Sequence, residues 1–478
     1  MAKSIKKQLL FTQIVKDDDG NDVVLTVEKH LHPDGTVEKV AEFETDPVFS
    51  FHVRDPFDKN VPYPTLVVPR DEVKKVTCRY ADLHKTLAKI TGKESYYKRC
   101  LANNGRGLNK LHNNFNLFGS DLDLADYKMA EWKKNNPEAI ETIPLSKAYS
   151  DIEVDIYNYD GFPDEETAPC AINFVSYVNP EKSLIKGFLL YDNKNPSLKK
   201  FMKKYGITSL NKKYSNKDIP EIEKLRLDMF TERDEDGNII EEYEFKRFEV
   251  IMFEDEMDLI IDYIDQVNND KPDFNAFWNA YFDIRTIWNR IIHNGFDPHD
   301  VFSPREFEYV NCFIKKDTFA NDVADRAHTF EISSYTKWQD LLFPYAANRK
   351  ATGSKDSWKL NDVLLDELGE TKHEFEGDIK DAAYTNYEEF FKYSIFDSYR
   401  LYQLERKCND LNTIYGTSML TNTRMDKVYR KTISIRNLAD TFFEKEGSIL
   451  SNNFNKYIQR EKQKFRGALI ILAHVKLL

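Results

Sequence analysis

Ser150-Asp151-Ile152-Glu153-Val154 opens the stretch whose reading decides the architecture. Two further β-rich runs follow, Ile172-Asn-Phe-Val-Ser-Tyr-Val178 and Leu184-Ile-Lys-Gly-Phe-Leu-Leu190, with turns at Gly161-Phe-Pro-Asp164 and Asn179-Pro180. Short apolar runs bounded by turn residues read as strands. The spacing becomes helical from Glu254 to Val267, again from Phe282 to Ile292, and along the amphipathic stretch from Tyr384 to Leu411. Strands first and helices later predict an α/β (α+β) fold over residues 146–410, a mixed sheet with flanking helices. Within it the acidic run Glu232 to Glu244 contains Asp236-Gly237, a hairpin-turn signal.

Residues 1–145 read as a separate mixed α/β domain. Alternation marks strands at Asp22-Val-Val-Leu-Thr-Val-Glu28 and Val48-Phe-Ser-Phe-His-Val53, with a turn at His32-Pro-Asp-Gly35. Ala81 to Ile90 has helical spacing, Asn103 to Gly107 reads as a loop, and Lys133-Lys-Asn-Asn-Pro137 as a linker. Residues 411–478 hold a helix around Lys431 to Glu446 and a polar stretch from Ser448 to Lys464. They finish in the apolar run Gly467 to Leu478, which suits packing on something outside the chain or a closing strand.

At 478 residues, 41% of them hydrophobic, the chain has material for two to four domains. A net charge of −12 excludes a whole-protein basic field, which weighs against a protein that coats nucleic acid. It leaves room for a nuclease, which must gather carboxylates around metal ions. Cys78, Cys100, Cys170, Cys312 and Cys408 are odd in number and form no C-x-x-C pair, so a reducing cytoplasm fits better than a disulfide framework. The N-terminus is too broken by charge for a signal peptide, and no apolar run is long enough to span a membrane.

Three acidic sites carry the chemistry. Strand alternation puts Asp151 and Glu153 on one face, aimed at a common cation. Asp283 ends Asn279-Ala-Tyr-Phe-Asp283 at an expected strand–helix junction. Asp397 ends Tyr393-Ser-Ile-Phe-Asp397 in the long helix, where positions i and i+4 share a face. Alone, these sites also fit a solvated strand face, a helix cap and an exposed helical acid. Together, four carboxylates from two strand ends and a helix can hold two hard divalent cations about 3.5–4 Å apart, as phosphodiester hydrolysis requires. Carboxylates suit Mg²⁺ or Mn²⁺, whereas zinc would favour His or Cys. The aromatics Tyr157, Phe277, Trp278 and Tyr281 read as core ahead of stacking surfaces.

The order Asp-x-Glu, Asn-x-x-Phe-Asp, Tyr-x-x-x-Asp resembles the three motifs of DEDDy exonucleases, and more narrowly the proofreading domain of B-family DNA polymerases. Asp160-Gly-Phe-Pro163, Ile172 to Tyr177, Trp288-Asn-Arg290, His328-Thr-Phe330, Asp340, Trp358-Lys-Leu360 and Glu367-Leu-Gly369 are similar to the T-even-type bacteriophage members. The second motif departs from the family in having one residue fewer before Phe-Asp. Lys392 stands beside Tyr393 and no His lies four or five residues before Asp397, which favours resemblance to the Tyr class over the His class.

The resemblance implies a ribonuclease H-like 3′–5′ exonuclease domain at 146–410 and a polymerase N-terminal domain at 1–145. Residues 411–478 would return to the N-terminal domain and lead toward a palm. It implies that Asp151, Glu153 and Asp397 hold the metal that activates water, and that Asp151 and Asp283 hold the one that stabilises the leaving 3′ oxygen. Tyr393 would orient the water, and Asn279 and Phe282 would support the terminal nucleotide. The palm and fingers motifs of the family are missing from the sequence, and Phe465 to Ile470 resembles the lead into the palm. The chain is therefore expected to be the N-terminal half of a split polymerase in phage DNA replication, acting in the host cytoplasm. Its expected partners are a primer 3′ end or single-stranded DNA and a second polypeptide bearing palm, fingers and thumb, with a sliding clamp as a further candidate. A truncated polymerase, a non-catalytic scaffold half and a free-standing DNA or RNA exonuclease are the alternatives. Lys74-Lys75 with Arg79 reads as a solvated face ahead of a template contact.

Overall fold

Alternation along Lys147–Val154 builds an inner strand of a seven-stranded mixed sheet. The computed structural model describes residues 6–54, 67–139, 143–233, 239–242, 245–318, 320, 322–353, 355, 357–370 and 379–452. The sheet's strands, numbered along the chain, are β1 (Lys147–Val154), β2 (Ile172–Asn179), β3 (Leu184–Leu190), β4 (Lys212–Ser215), β5 (Arg247–Phe253), β6 (Phe274–Phe277) and β7 (Lys337–Asp340). Their order is β4-β5-β3-β2-β1-β6-β7. β1, β2 and β3 form an antiparallel meander, while β6 runs parallel to β1 and β7 parallel to β6. The expected mixed α/β architecture is present.

Both faces of the sheet are apolar, so each strand buries alternate residues on opposite sides. Tyr149, Phe174, Val178, Ile185 and Leu189 join one core with Phe390, Phe391 and Ile395. Ile152, Val175, Tyr177 and Phe188 join a second core with Ile260, Ile264, Ile284 and Ile287. Four helices frame the site: α1 (Glu256–Asp270), α2 (Ala280–His293), α3 (Ile379–Thr385) and α4 (Tyr387–Cys408). α1 starts on Asp255, whose carboxylate accepts the Met257 N–H at 2.7 Å, an ordinary N-cap.

Gly187 on β3 is what lets α4 lie so close. A Cβ at this position would meet Leu189, Phe174 and Phe391 side chains, each at 3.3 Å. Gly187→Ala is therefore expected to destabilise the protein by about 1–3 kcal/mol, since one added methyl overpacks a filled core. Urea unfolding checks this. An unchanged midpoint would contradict the close packing.

Two compact units divide the chain: residues up to Pro47 with Asp123–Leu438, and Val48–Leu122 with Ala439 onward. These bounds differ from those drawn on the sequence at 145 and 410. The reason lies in the opening meander, Lys6–Lys16, Asp22–Leu31 and Val37–Glu44. Its Leu10, Phe11, Val15, Val23, Leu25 and Val27 belong to the same hydrophobic core as the sheet residues Phe274 and Val250. Lys29 and Lys39 of the meander each pair with buried Asp273 at 2.8 Å. In the second unit Val48–Val53 pairs with Lys74–Arg79 and Leu117–Phe118, and Ser448–Leu450 pairs with Val67–Pro69.

Three local readings are corrected. Lys133, Lys134 and Asn135 close the helix Leu124–Asn135 and do not belong to a linker, the positive charges of the two lysines complementing the helix C-terminus. The helix expected from Tyr384 to Leu411 is broken at Asn386 and again at Asn409, where φ is 57°. Asp283 lies in the first turn of α2, so it comes from a helix and not from a strand end. The strands flanking Asp236-Gly237, Thr231–Arg233 and Ile239–Glu242, pair antiparallel. The turn itself, the apolar run 467–478 and most of the polar stretch before it lie outside the described residues. Among the described residues no helix is long and apolar enough to cross a membrane, and all five cysteines are free.

Candidate metal centre

Asp151 and Glu153 project from the same face of β1, two residues apart, as strand alternation requires. α4 crosses that face. Two small buried residues allow the approach: the Ser398 and Ser176 hydroxyls meet at 2.6 Å. Further along, Lys147 of β1 pairs with Glu405 of α4 at 2.9 Å. The helix so placed brings Asp397 onto the strand, and carboxylate oxygens of Asp151, Glu153 and Asp397 all lie within 4.8 Å of one another. Asp397 is only 2% exposed, which excludes the reading as a surface acid. Crowded carboxylates repel unless a proton or a cation sits among them. An all-oxygen donor set of this kind could bind a metal ion.

Asp283 stands outside this group of three but beside it. The β6 ladder on β1 ends at Tyr149, and beyond it the Ile152 N–H reaches the Asp283 carboxylate, Oδ1, at a long 3.4 Å. Burial, and then the neighbouring Asp151 charge, push the Asp283 carboxyl well above the usual range. It is not a helix cap: that position belongs to Asn279, in the left-handed region at φ 61°. Asn279 is exposed and Phe282 half-buried, while Tyr393 is half-buried one turn before Asp397 on α4. Phe277, Trp278 and Tyr281 are buried as the sequence suggests, whereas Tyr157 is exposed, its ring stacked on Tyr384 at 3.9 Å.

No family model matches this chain, and no curated protein does. The site therefore rests on its geometry and on the motif order.

Sequence reasoning missed several residues around the cluster. Phe162 is 76% exposed, and its ring packs on Phe282 with centroids 4.9 Å apart. The loop that carries it is tied down on both sides. Glu166 accepts from the Tyr281 hydroxyl at 2.6 Å and from Arg285 at 2.9 Å, while Asn289 donates to the Glu165 carbonyl at 2.8 Å. From α3, Lys380 donates to the Tyr159 carbonyl at 2.8 Å and the Tyr384 hydroxyl donates to Asp155 at 3.1 Å. The signal was Gly161-Phe-Pro163, an exposed aromatic held by a turn, which the sequence offers only as a motif.

Asp340, which the sequence offers only within the family resemblance and without a role, is a further acid beside the site. Burial pushes its carboxyl up to about 7, although backbone N–H groups of Leu342, Ala280 and Asn279 pull the other way. The folded chain thus keeps a proton that the unfolded chain releases, and stability falls as pH rises. The loss runs from the ordinary value of 3.8 to about 7 and is complete above it. In metal-free protein the urea midpoint is expected to drop between pH 5 and pH 8, and Asp340→Asn to flatten that slope. Equal slopes in the two proteins would contradict the assignment.

Proposed function

We propose that this chain is a metal-dependent 3′–5′ exonuclease of the kind that proofreads for B-family DNA polymerases. The observation that carries the reading is the convergence of Asp151, Glu153 and Asp397, with Asp283 buried beside Asp151. Residues far apart in sequence, singled out by motif order, meet around one point. The antiparallel meander extended by parallel strands, with apolar cores on both faces, supports the ribonuclease H-like reading of residues 146–410.

Asp151, Glu153 and Asp397 would hold one cation, and Asp151 with Asp283 a second. When bound, Mg²⁺ or Mn²⁺ supplies Lewis acidity for activating water and stabilising the leaving 3′ oxygen. The Tyr393 phenol, on the Asp397 face of α4, orients the water. Phe162 and Phe282 offer aromatic surface to a terminal base, worth roughly 1–3 kcal/mol of stacking per base. A frayed, mispaired terminus reaches such a site more cheaply than a paired one. Charge supports a nucleic-acid substrate as well. Residues 67–122 carry 11 Lys and Arg against 5 Asp and Glu in a chain whose net charge is −12. Lys74, Lys75, Lys85 and Lys89 are exposed there, suited to backbone phosphates. The partner bearing palm, fingers and thumb rests on the sequence resemblance alone.

The test is 5′-labelled single-stranded DNA incubated with the chain and Mg²⁺. A ladder shortening from the 3′ end, abolished by EDTA, is expected. A strand left intact overturns the reading.

A further inference from the structure

α2 begins without a cap of its own. Asn279 is left-handed, at φ 61° and ψ 47°, and its side chain makes no capping hydrogen bond. Helix starts leave backbone N–H groups that need acceptors, and the N-cap side chain is the usual source. Here the acceptor comes from the neighbouring strand. β6 and β7 are parallel with Phe277 opposite Asp340, so the Asp340 carboxylate lies beside the chain as it leaves β6. Its Oδ1 accepts the Asn279 N–H at 3.3 Å and the Leu342 N–H at 2.8 Å. One side chain thus ties the β6–α2 turn to the start of the helix Leu342–Asn348. Asp340 is 2% exposed, and its Oδ2 has no hydrogen-bond partner among the described residues. A buried carboxyl group so poorly satisfied is costly in either protonation state. The fold keeps it where it fixes one turn.

We propose that Asp340 is a positioning residue for Asp283, acting through the first turn of α2. This rests on the exonuclease reading of the carboxylate cluster. Asp283 lies in that first turn, and its Oδ1 reaches the Ile152 N–H, between Asp151 and Glu153. The turn therefore sets how far the fourth carboxylate stands from the other three. A misplacement of about 1 Å can cost on the order of 100-fold in rate. Asp340 itself is not among the three gathered acids and touches no reacting atom.

The experiment compares the full chain with Asp340→Ala, Asp340→Asn and Asp283→Ala. Two quantities are read: Mn²⁺ affinity by electron paramagnetic resonance, and kcat and KM for shortening of single-stranded DNA. Asp340→Ala should weaken Mn²⁺ binding and lower kcat by about 10–100-fold, the usual range for groups that orient metal ligands, with KM for DNA unchanged. Asp340→Asn keeps the acceptor oxygen and should stay near wild type in both. A residue that only stabilises the fold would lower the melting temperature and leave Mn²⁺ affinity and kcat intact; that result overturns the proposal. Should the alanine protein not fold, Asp340→Ser, whose acceptor sits short of both N–H groups, replaces it with the same two outcomes. Wild-type protein that binds Mn²⁺ but leaves DNA intact, with affinity lost in Asp340→Ala, would overturn the nuclease reading and uphold the positioning role. Wild-type protein that binds no Mn²⁺ would overturn both.

Discussion

Asp397→Ala should lower the rate of DNA shortening by about 1,000-fold while leaving the fold intact. The carboxylate reaches the cluster from α4, with oxygens within 4.8 Å of those of Asp151 and Glu153. Removing one of three ligands forfeits several kcal/mol of charge stabilisation in the transition state. About 4 kcal/mol corresponds to a factor of about 1,000. The same change relieves repulsion among crowded acids, so metal-free stability should hold or rise. Steady-state cleavage and thermal unfolding of the same preparation check both halves. Near-normal cleavage would remove Asp397 from the chemistry, and a collapse in stability would make it a structural residue.

The largest effect on stability is expected from Trp338→Ala, at about 3–5 kcal/mol. Trp338 is 1% exposed. It is stacked on Phe277 at 5.9 Å and meets Tyr263 and Phe302 edge-on at 6.2 and 5.3 Å. Alanine would leave a large void where three aromatic rings cannot collapse. Trp338→Phe should cost far less, under about 2 kcal/mol, because the indole Nε1 has no hydrogen-bond partner among the described residues and its loss removes an unsatisfied donor. Urea unfolding followed by circular dichroism compares them. Equal losses in the two variants would point to a hydrogen bond at Nε1 and not to packing.

Much of the sheet was legible because its strands carry their own signals. Alternation at Lys147–Val154 and the turn residues between β1, β2 and β3 mark the meander by local chemistry alone. Strand period alone puts Asp151 and Glu153 on one face of β1, whereas the joining of Asp397 to them was implied only by the motif order that resembles the DEDDy exonucleases and is seen in the fold. What escaped depends on partners distant in sequence. Asn279 reads as part of a strand–helix junction, but its left-handed backbone and the acceptor that Asp340 supplies to it depend on a residue far along the chain. Asn386 and Asn409 interrupt an otherwise continuous apolar pattern, and at Asn409 the backbone is left-handed, a conformation asparagine tolerates well enough to give no warning. Residues 1–145 read as one domain, whereas the apolar face of the first 47 completes the core of the sheet. Lys133 and Lys134 looked like linker because charge and a following proline suggest one, whereas both lie within the helix Leu124–Asn135, where Lys133 donates to Asn422 at 2.6 Å.

The central claim is that these acids form a metal centre, and anomalous diffraction from Mn²⁺-soaked crystals tests it most directly. Density for Mn²⁺ liganded by Asp151, Glu153 and Asp397 is expected, lost in Asp397→Ala. Crystals that take up no Mn²⁺ at these oxygens, or bind it only elsewhere, would contradict the account.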